Sequence, residues 1–220
     1  MDILANAREH MVESQLMPNG VTDEKLLKAY QEIPREHFVP ESKSSVAYVD
    51  EDIMIGENRF IMEPAVHARM VQALNLGPED VVLDVACATG YSSAVLSYMA
   101  KTVVSLTNDA SILQQAKKNW EALSIYNIVC FEGDLSKCNP EYAPYDAIIF
   151  NGSLPELPKS CLDMLNTGGR LVYIERRAKN ETGRAKLIHK LDNDKLSTLT
   201  LFDASTPYLP GFEPKEDFVF

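Results

Sequence analysis

The sequence predicts an α/β fold, a mixed and mostly parallel sheet with helices on both of its faces. The first observation is Val81 to Val85, a short apolar run with β-branched residues, as in a strand covered on both sides. The second is a change of period just after it. Residues Ala86 to Gly90 are all small, and from Tyr91 onward Ala94, Val95 and Tyr98 recur at helical spacing. Small residues between a strand end and a helix N-terminus leave backbone N–H groups free to meet a ligand. The third is repetition of the strand-then-helix alternation, with Thr102 to Leu106 followed by a helix through Leu113, Ala116, Lys117 and Trp120.

The 220 residues suit one domain with a complete core. A formal charge of −11 opposes attraction to polyphosphate, so nucleic acid is not an expected partner. Cys87, Cys130, Cys138 and Cys161 form no C-x-x-C pair, and the polar N-terminus has no signal-peptide core. Reduced cysteines and a cytoplasmic setting are therefore expected. No apolar run approaches the ~20 residues that cross a bilayer, so no membrane partner is expected either.

Taken in order, residues 1 to 30 read as two amphipathic helices around a break at Pro18-Asn19-Gly20, with Thr22 capping the second, which carries Leu26, Leu27 and Tyr30. Ile55 to Pro64 leads into a helix with Val66, Met70, Val71 and Leu74 on one face. His67 sits in that helix with no evident partner and receives no catalytic role. After the Thr102 strand, Asp109 is expected to cap the next helix. Asn127 to Asp134 is a third strand ending in Gly133-Asp134, and Ala143 to Gly152 a fourth, followed by a helix containing Leu162 and Leu165. Gly168 and Gly169 turn the chain into a fifth strand through Ile174. Ala185 to Leu191 and Ser197 to Phe202, separated by Asp192-Asn193-Asp194, read as an antiparallel hairpin. The aromatics of Pro207 to Phe212 and of Phe218-Val219-Phe220 read as a core-closing tail, in preference to a peptide-contacting surface.

Several stretches carry a resemblance. Asp84-x-Ala86-x-Ala88-x-Gly90 resembles the Asp/Glu-x-Gly-x-Gly-x-Gly turn of Rossmann-like class I S-adenosylmethionine (AdoMet) methyltransferases, with alanine for the first two glycines. Met11 to Leu16, Gly20 to Asp23, Ile33 to Pro40 and Ala47 to Asp50 resemble protein-L-isoaspartate O-methyltransferases specifically, in the right order and spacing. The resemblance covers nearly the whole chain. It implies residues 1–75 as helical extension and substrate-side cap, 76–175 as cofactor-binding core, and 176–220 as hairpin and tail.

The same resemblance implies AdoMet as cofactor, with S-adenosyl-L-homocysteine as product, a protein or peptide substrate, and methyl transfer to isoaspartyl carboxylates as the first step of protein repair. A monomer is expected. Cofactor contacts would fall on Asp84, Ala86, Cys87, Ala88, Thr89 and Gly90 of the turn, on Thr107 and Asn108, on Gly133 and Asp134 near the adenine amino group, and on Asn151. Gly90 would leave room for the ligand. The family has Glu where this chain has Thr107, so Asn108 or Asp109 could reach the ribose instead. On the substrate side the family reads Ile-Gly-x-Gly-Gln-Thr-Ile-Ser-Gln-Pro. Here Phe60 replaces the Thr, Ile61 is kept, and Met62 and Glu63 replace the Ser and Gln, with Arg59 the nearby cation. These changes leave open a methyltransferase with another acceptor, Phe60 and Met62 lining an apolar pocket, and an AdoMet-binding protein with a regulatory role.

Overall fold

The computed structural model of the protein describes residues 3–214. Its helices are α1 (Ile3–Met11), α2 (Glu24–Glu32), α3 (Pro64–Leu74), α4 (Tyr91–Met99), α5 (Ala110–Ala122) and α6 (Lys159–Asp163). Its strands are β1 (Ile53–Gly56), β2 (Arg59–Ile61), β3 (Val81–Val85), β4 (Thr102–Thr107), β5 (Ile128–Glu132), β6 (Tyr145–Leu154), β7 (Leu165–Glu175), β8 (Gly183–Lys190) and β9 (Leu196–Ala204). Strands β3 to β9 form one sheet in the order β5-β4-β3-β6-β7-β8-β9, and β1 and β2 pair apart from it as an antiparallel hairpin.

The first five strands of that order run parallel, β8 is antiparallel to β7, and β9 is antiparallel to β8. Consecutive residues of β3, β4 and β6 are buried, and because side chains alternate between faces, both faces of the sheet centre must be covered. β9 is mostly exposed, as an edge strand can be. This is the mixed α/β sheet that the periodicity predicts. The neighbours of β3 are β4 on one side and β6 on the other, so the chain leaves β3 and β6 in opposite directions. That switch point opens a crevice at the carboxyl ends of the strands, where the small-residue turn lies.

Three local expectations are corrected. The cap of α2 is Asp23, not Thr22: its carboxylate accepts from the Lys25 and Leu26 N–H groups at 2.9 and 3.0 Å, while Gln72 Oε1 takes the Thr22 and Asp23 N–H groups. A charged acceptor one residue later suits the helix N-terminus better. Leu165 opens β7 instead of continuing a helix, because α6 stops after five residues and Leu165 pairs with Tyr145. The cysteines are not all reduced. Cys138 and Cys161, 23 residues apart, form a disulfide, brought together where the turn after β5 packs on α6 and the Ser160 hydroxyl donates to the Ser136 carbonyl at 2.7 Å.

The tail does close the core as far as it is described. Ser153 N–H donates to the Pro207 carbonyl and Leu209 N–H to the Ser153 carbonyl, which seats Leu209, 2% exposed, against the end of β6. Phe218, Val219 and Phe220 lie outside the described residues. Among the described residues no helix is long and apolar enough to cross a membrane.

Candidate active site

The crevice is floored by a buried carboxylate. Asp84, in β3, is fully buried and accepts from Ser92 Oγ (2.8 Å), from Ser93 Oγ and from Asn151 Nδ2 (2.5 Å). Burial raises its pKa above the usual carboxylate value, with the three donors pulling the other way. Both serines lie in the first turn of α4, so the helix after the turn folds its hydroxyls back onto the strand before it. His67 does have partners: Nε2 meets Ser92 Oγ at 2.9 Å and Nδ1 meets the Tyr30 hydroxyl at 2.5 Å. Burial, then the charge of Arg35, lowers its pKa to about 3, so it is neutral and structural. Those partners lie 37 and 25 residues away in sequence and only the fold reveals them.

Above the carboxylate, Ala86, Ala88 and Gly90 have φ of 62, 51 and 96°. All three sit in the left-handed region that favours glycine. The turn therefore keeps a glycine backbone path while carrying two methyl groups. Gly90 serves a different purpose from the one expected of it. The Trp120 indole N–H donates to the Gly90 carbonyl at 2.8 Å, and a Cβ at Gly90 would lie 2.5 Å from that nitrogen. The space it leaves is filled by Trp120, not kept for a ligand. Thr89 likewise turns away, its hydroxyl donating to the Phe38 carbonyl and its own carbonyl accepting from Asn119.

The β1–β2 hairpin closes the crevice from the other side. Phe60, Ile61 and Met62 are buried, and Arg35 holds the segment by donating from Nη2 to the Met62 carbonyl (2.8 Å) and from Nε to the Ala47 carbonyl (2.7 Å). Arg59 reaches the site edge. Its guanidinium stands 3.8 Å from Asp109, which caps α5 as expected, accepting from the Ser111 and Ile112 N–H groups. The hairpin is thereby tied to the start of α5. Glu63 is pushed up to about 7, chiefly by burial and then by the charges of Asp52, Asp50 and Glu51.

Beside a cavity of about 420 Å³ lined by Phe38, Thr89, Ser111 and Ile112 among others, two of about 10 Å³ each adjoin the turn. Phe60, Ala86, Ala88 and Asn151 line both, with Ile61, Met62 and Cys87 joining them in one and Arg59 and Leu209 in the other. Each of these two has room for roughly one water. Cys87 is a thiol here, burial raising its pKa to about 12. Asn151 donates both to Asp84 and to the Val85 carbonyl (3.0 Å), while its Oδ1 has no hydrogen-bond partner among the described residues. Thr107, Asn108, Gly133 and Asp134 stand apart from these cavities. Thr107 Oγ1 is buried without a partner among the described residues and its carbonyl accepts from Gly133, Asn108 is exposed, and Asp134 caps a turn by accepting from the Ser136 N–H and hydroxyl.

The profile of the protein-L-isoaspartate(D-aspartate) O-methyltransferase (PCMT) family matches residues 6–210. The chain belongs to this family. It is 41% identical over 169 residues to protein-L-isoaspartate O-methyltransferase 1 of Geotalea uraniireducens, covering 77% of each chain. It is 38% identical over 165 residues to the Methanoculleus marisnigri protein-L-isoaspartate O-methyltransferase, covering 75% of each. Among solved structures, one protein-L-isoaspartate O-methyltransferase superimposes with a TM-score of 0.81 at 27% identity, over 94% of this chain and 67% of that one. A Plasmodium falciparum protein in complex with S-adenosyl-L-homocysteine shares the fold, with a TM-score of 0.76 at 20% identity over 95% and 99% of the two chains.

In this PCMT member, Phe60, Met62, Ala86, Ala88 and Asn151 line one small cavity, held there by residues to which the sequence reading gave no site role. Arg35 lies in the Ile33 to Pro40 stretch that carries the family resemblance, whereas Tyr30, Ser92, Ser93 and Trp120 have no motif of their own. The two serines also offered a signal, standing one and two residues past the first helical residue, where side chains can reach back over the turn.

Proposed function

We propose that this protein methylates the free carboxylate of L-isoaspartyl residues in damaged proteins, with AdoMet as methyl donor. The observation that carries the reading is the turn after β3, in which residues 86, 88 and 90 keep left-handed backbone above a buried, thrice hydrogen-bonded Asp84. The donor set suits AdoMet in kind. Asn151 Oδ1 and Thr107 Oγ1 are buried polar atoms that lack a partner among the described residues, and a ligand rich in amino and hydroxyl groups would supply one. When bound, AdoMet presents an electrophilic methyl group on a sulfonium sulfur.

The chain's own part is placement. A carboxylate with a reference pKa near ~4 is ionised at neutral pH and needs no general base. Acceleration must come from alignment of nucleophile and methyl group, which effective-molarity arguments put at up to ~7–11 kcal/mol. Asp84 anchors the turn through Ser92, Ser93 and Asn151, and Arg35 fixes the backbone at Met62. Phe60 lines both small cavities, and Arg59 and Leu209 join it in one, so the hairpin and the tail would wall the donor's site. One polypeptide unit, acting as a monomer on protein substrates, completes the proposal.

A second reading is favoured by one observation. Phe60 and Met62 are buried and apolar, and Glu63 stands beside them, an arrangement better suited to an uncharged acceptor than to a carboxylate. Initial rates of methyl ester formation on an isoaspartyl peptide and on its ordinary aspartyl counterpart test the choice. Ester on the isoaspartyl peptide alone supports the proposal. Binding of AdoMet without ester on either peptide supports the second reading.

A further inference from the structure

We infer that His67 is a positioning residue for the methyl-donor site: with Tyr30 and Ser92 it forms a one-way hydrogen-bond chain that keeps the Ser92 proton on Asp84 and holds that carboxylate ionised beneath the turn. The inference rests on the donor assignment above.

The chain joins three helices to the sheet. Tyr30 of α2, His67 of α3, Ser92 of α4 and Asp84 of β3 are all buried. The Tyr30 hydroxyl meets His67 Nδ1 at 2.5 Å, His67 Nε2 meets Ser92 Oγ at 2.9 Å, and Ser92 Oγ meets Asp84 Oδ1 at 2.8 Å. Chemistry sets the direction of each bond. A carboxylate only accepts, so the single Ser92 proton goes to Asp84. His67 Nε2 must then carry a hydrogen to reach the Ser92 oxygen, which leaves the lone pair on Nδ1 and makes the Tyr30 hydroxyl its donor. A second proton on the ring would reverse the Tyr30 end of the chain. Burial and then the charge of Arg35 hold the His67 pKa at about 3, so the ring stays neutral and the direction is kept.

The charge of Asp84 depends on its donors. Burial opposes that charge, and hydrogen bonds from Ser93, Asn151 and Ser92 act against burial. The titratable groups around it bring no charge: Cys87 in the turn and Tyr91 of α4 are both raised to about 12, and Arg35 acts on His67 and Tyr91 and not on Asp84. Ser105 of β4 is reached by the Ser93 hydroxyl and stands behind it. The His67 N–H fixes the rotation of the Ser92 hydroxyl and, by polarising it, strengthens the bond it gives to Asp84. His67 and Ser92 both line the small cavity that holds Met62 and Cys87, so the chain ends at the wall of the site. A negative charge kept there, in a medium of low dielectric, favours a ligand that carries a positive sulfonium.

The test is the pH dependence of AdoMet binding, measured by calorimetry without peptide at pH 6, 7 and 8. Wild type is compared with Ser92→Ala, His67→Leu and His67→Gln, with melting temperature as the check on folding. Glu63 at about 7 and Asp52 at about 6 titrate in the same range, but all four proteins share them, so each variant is read against the wild-type profile. Relative to wild type, the ratio of affinity at pH 8 to affinity at pH 6 should rise about tenfold in Ser92→Ala, which loses a hydrogen bond to a charged group. In His67→Leu, where the serine keeps its proton but not its orientation, the rise should be about threefold. His67→Gln, whose amide can donate to Ser92, should follow the wild type. A histidine that only fills space would lower the melting temperature and leave the profile unbent. Profiles parallel to wild type in Ser92→Ala or His67→Leu, or a bent one in His67→Gln, overturn the inference and leave the donor assignment standing. Failure of the wild type to bind AdoMet at any of these pH values overturns both. If His67→Leu does not fold, Tyr30→Phe takes its place, since without that donor the ring is free to adopt the other tautomer and draw the Ser92 proton from Asp84; a parallel profile there overturns the inference as well.

Discussion

Ala86→Gly and Ala88→Gly together should make the protein more stable, against the usual outcome of placing glycine in a folded chain. Both alanines have left-handed φ, 62 and 51°, where a Cβ meets the following carbonyl at a cost of about 1–2 kcal/mol per residue. Glycine removes that cost but gives the unfolded chain extra freedom worth about 0.4–1 kcal/mol. The net gain is about 0.5–1 kcal/mol per site, or about 1–2 kcal/mol for the pair. For a domain of this size that corresponds to a rise in Tm of about 2–8 °C. Thermal melts and urea midpoints of the double variant measure it, with Ala122→Gly at the exposed C-terminal end of α5 as control, expected to lose less than the ~1 kcal/mol of a helix-interior glycine. The two methyl groups also line both small cavities, so AdoMet should bind the double variant more tightly. A variant that melts at or below the wild type would refute the claim that these positions are strained.

Gly90→Ala should cost about 2–4 kcal/mol, since the new methyl would lie 2.5 Å from Trp120 Nε1 on a backbone with φ of 96°; an unchanged urea midpoint would refute the packing role. Glu63 takes up protons more readily folded than unfolded, so between pH 4.5 and about 7 the native state holds more protons and stability falls as the pH rises through that window. Asp52, raised from 3.8 to about 6, adds to the fall. Glu63→Gln should flatten the melting temperature against pH across that range, and an unaltered slope would show that Glu63 is not responsible. Phe60→Thr, Met62→Ser and Glu63→Gln combined should speed isoaspartyl methylation by about 10- to 100-fold, chiefly through kcat, because the restored hydroxyls donate where the chain now has only apolar atoms. A folded triple variant that binds AdoMet and is no faster would favour another acceptor.

Period and small-residue turns carry local information, and the parts of the fold that depend on them were legible. Val81 to Val85, the helix from Tyr91 and the hairpin around Asn193 stand where the pattern puts them. What the pattern could not carry were contacts made across the fold. Thr22 and Asp23 are both good caps by residue type, and the choice fell to Asp23 because Gln72, some 50 residues away, takes the neighbouring N–H groups. Spacing rules for cysteine describe pairs close in sequence, whereas Cys138 and Cys161 meet through tertiary packing. At the site, family likeness marked Phe60, Met62 and Asn151 but not their state. That Phe60 abuts Leu209 at Gly152, and that Asn151 has one end tied and one end free, depend on positions 50 or more residues apart.

The most direct measurement is a single-turnover reaction, with the enzyme in excess over an isoaspartyl peptide and saturated with AdoMet, monitored by mass spectrometry of the peptide. A mass gain of one methyl group, lost on mild alkaline treatment as an ester is and absent from the aspartyl peptide, is the expected result even if steady-state turnover is slow. A peptide left unmodified by an enzyme that binds AdoMet, or a methyl group that resists alkali, would contradict isoaspartyl carboxyl methylation as the function of this site.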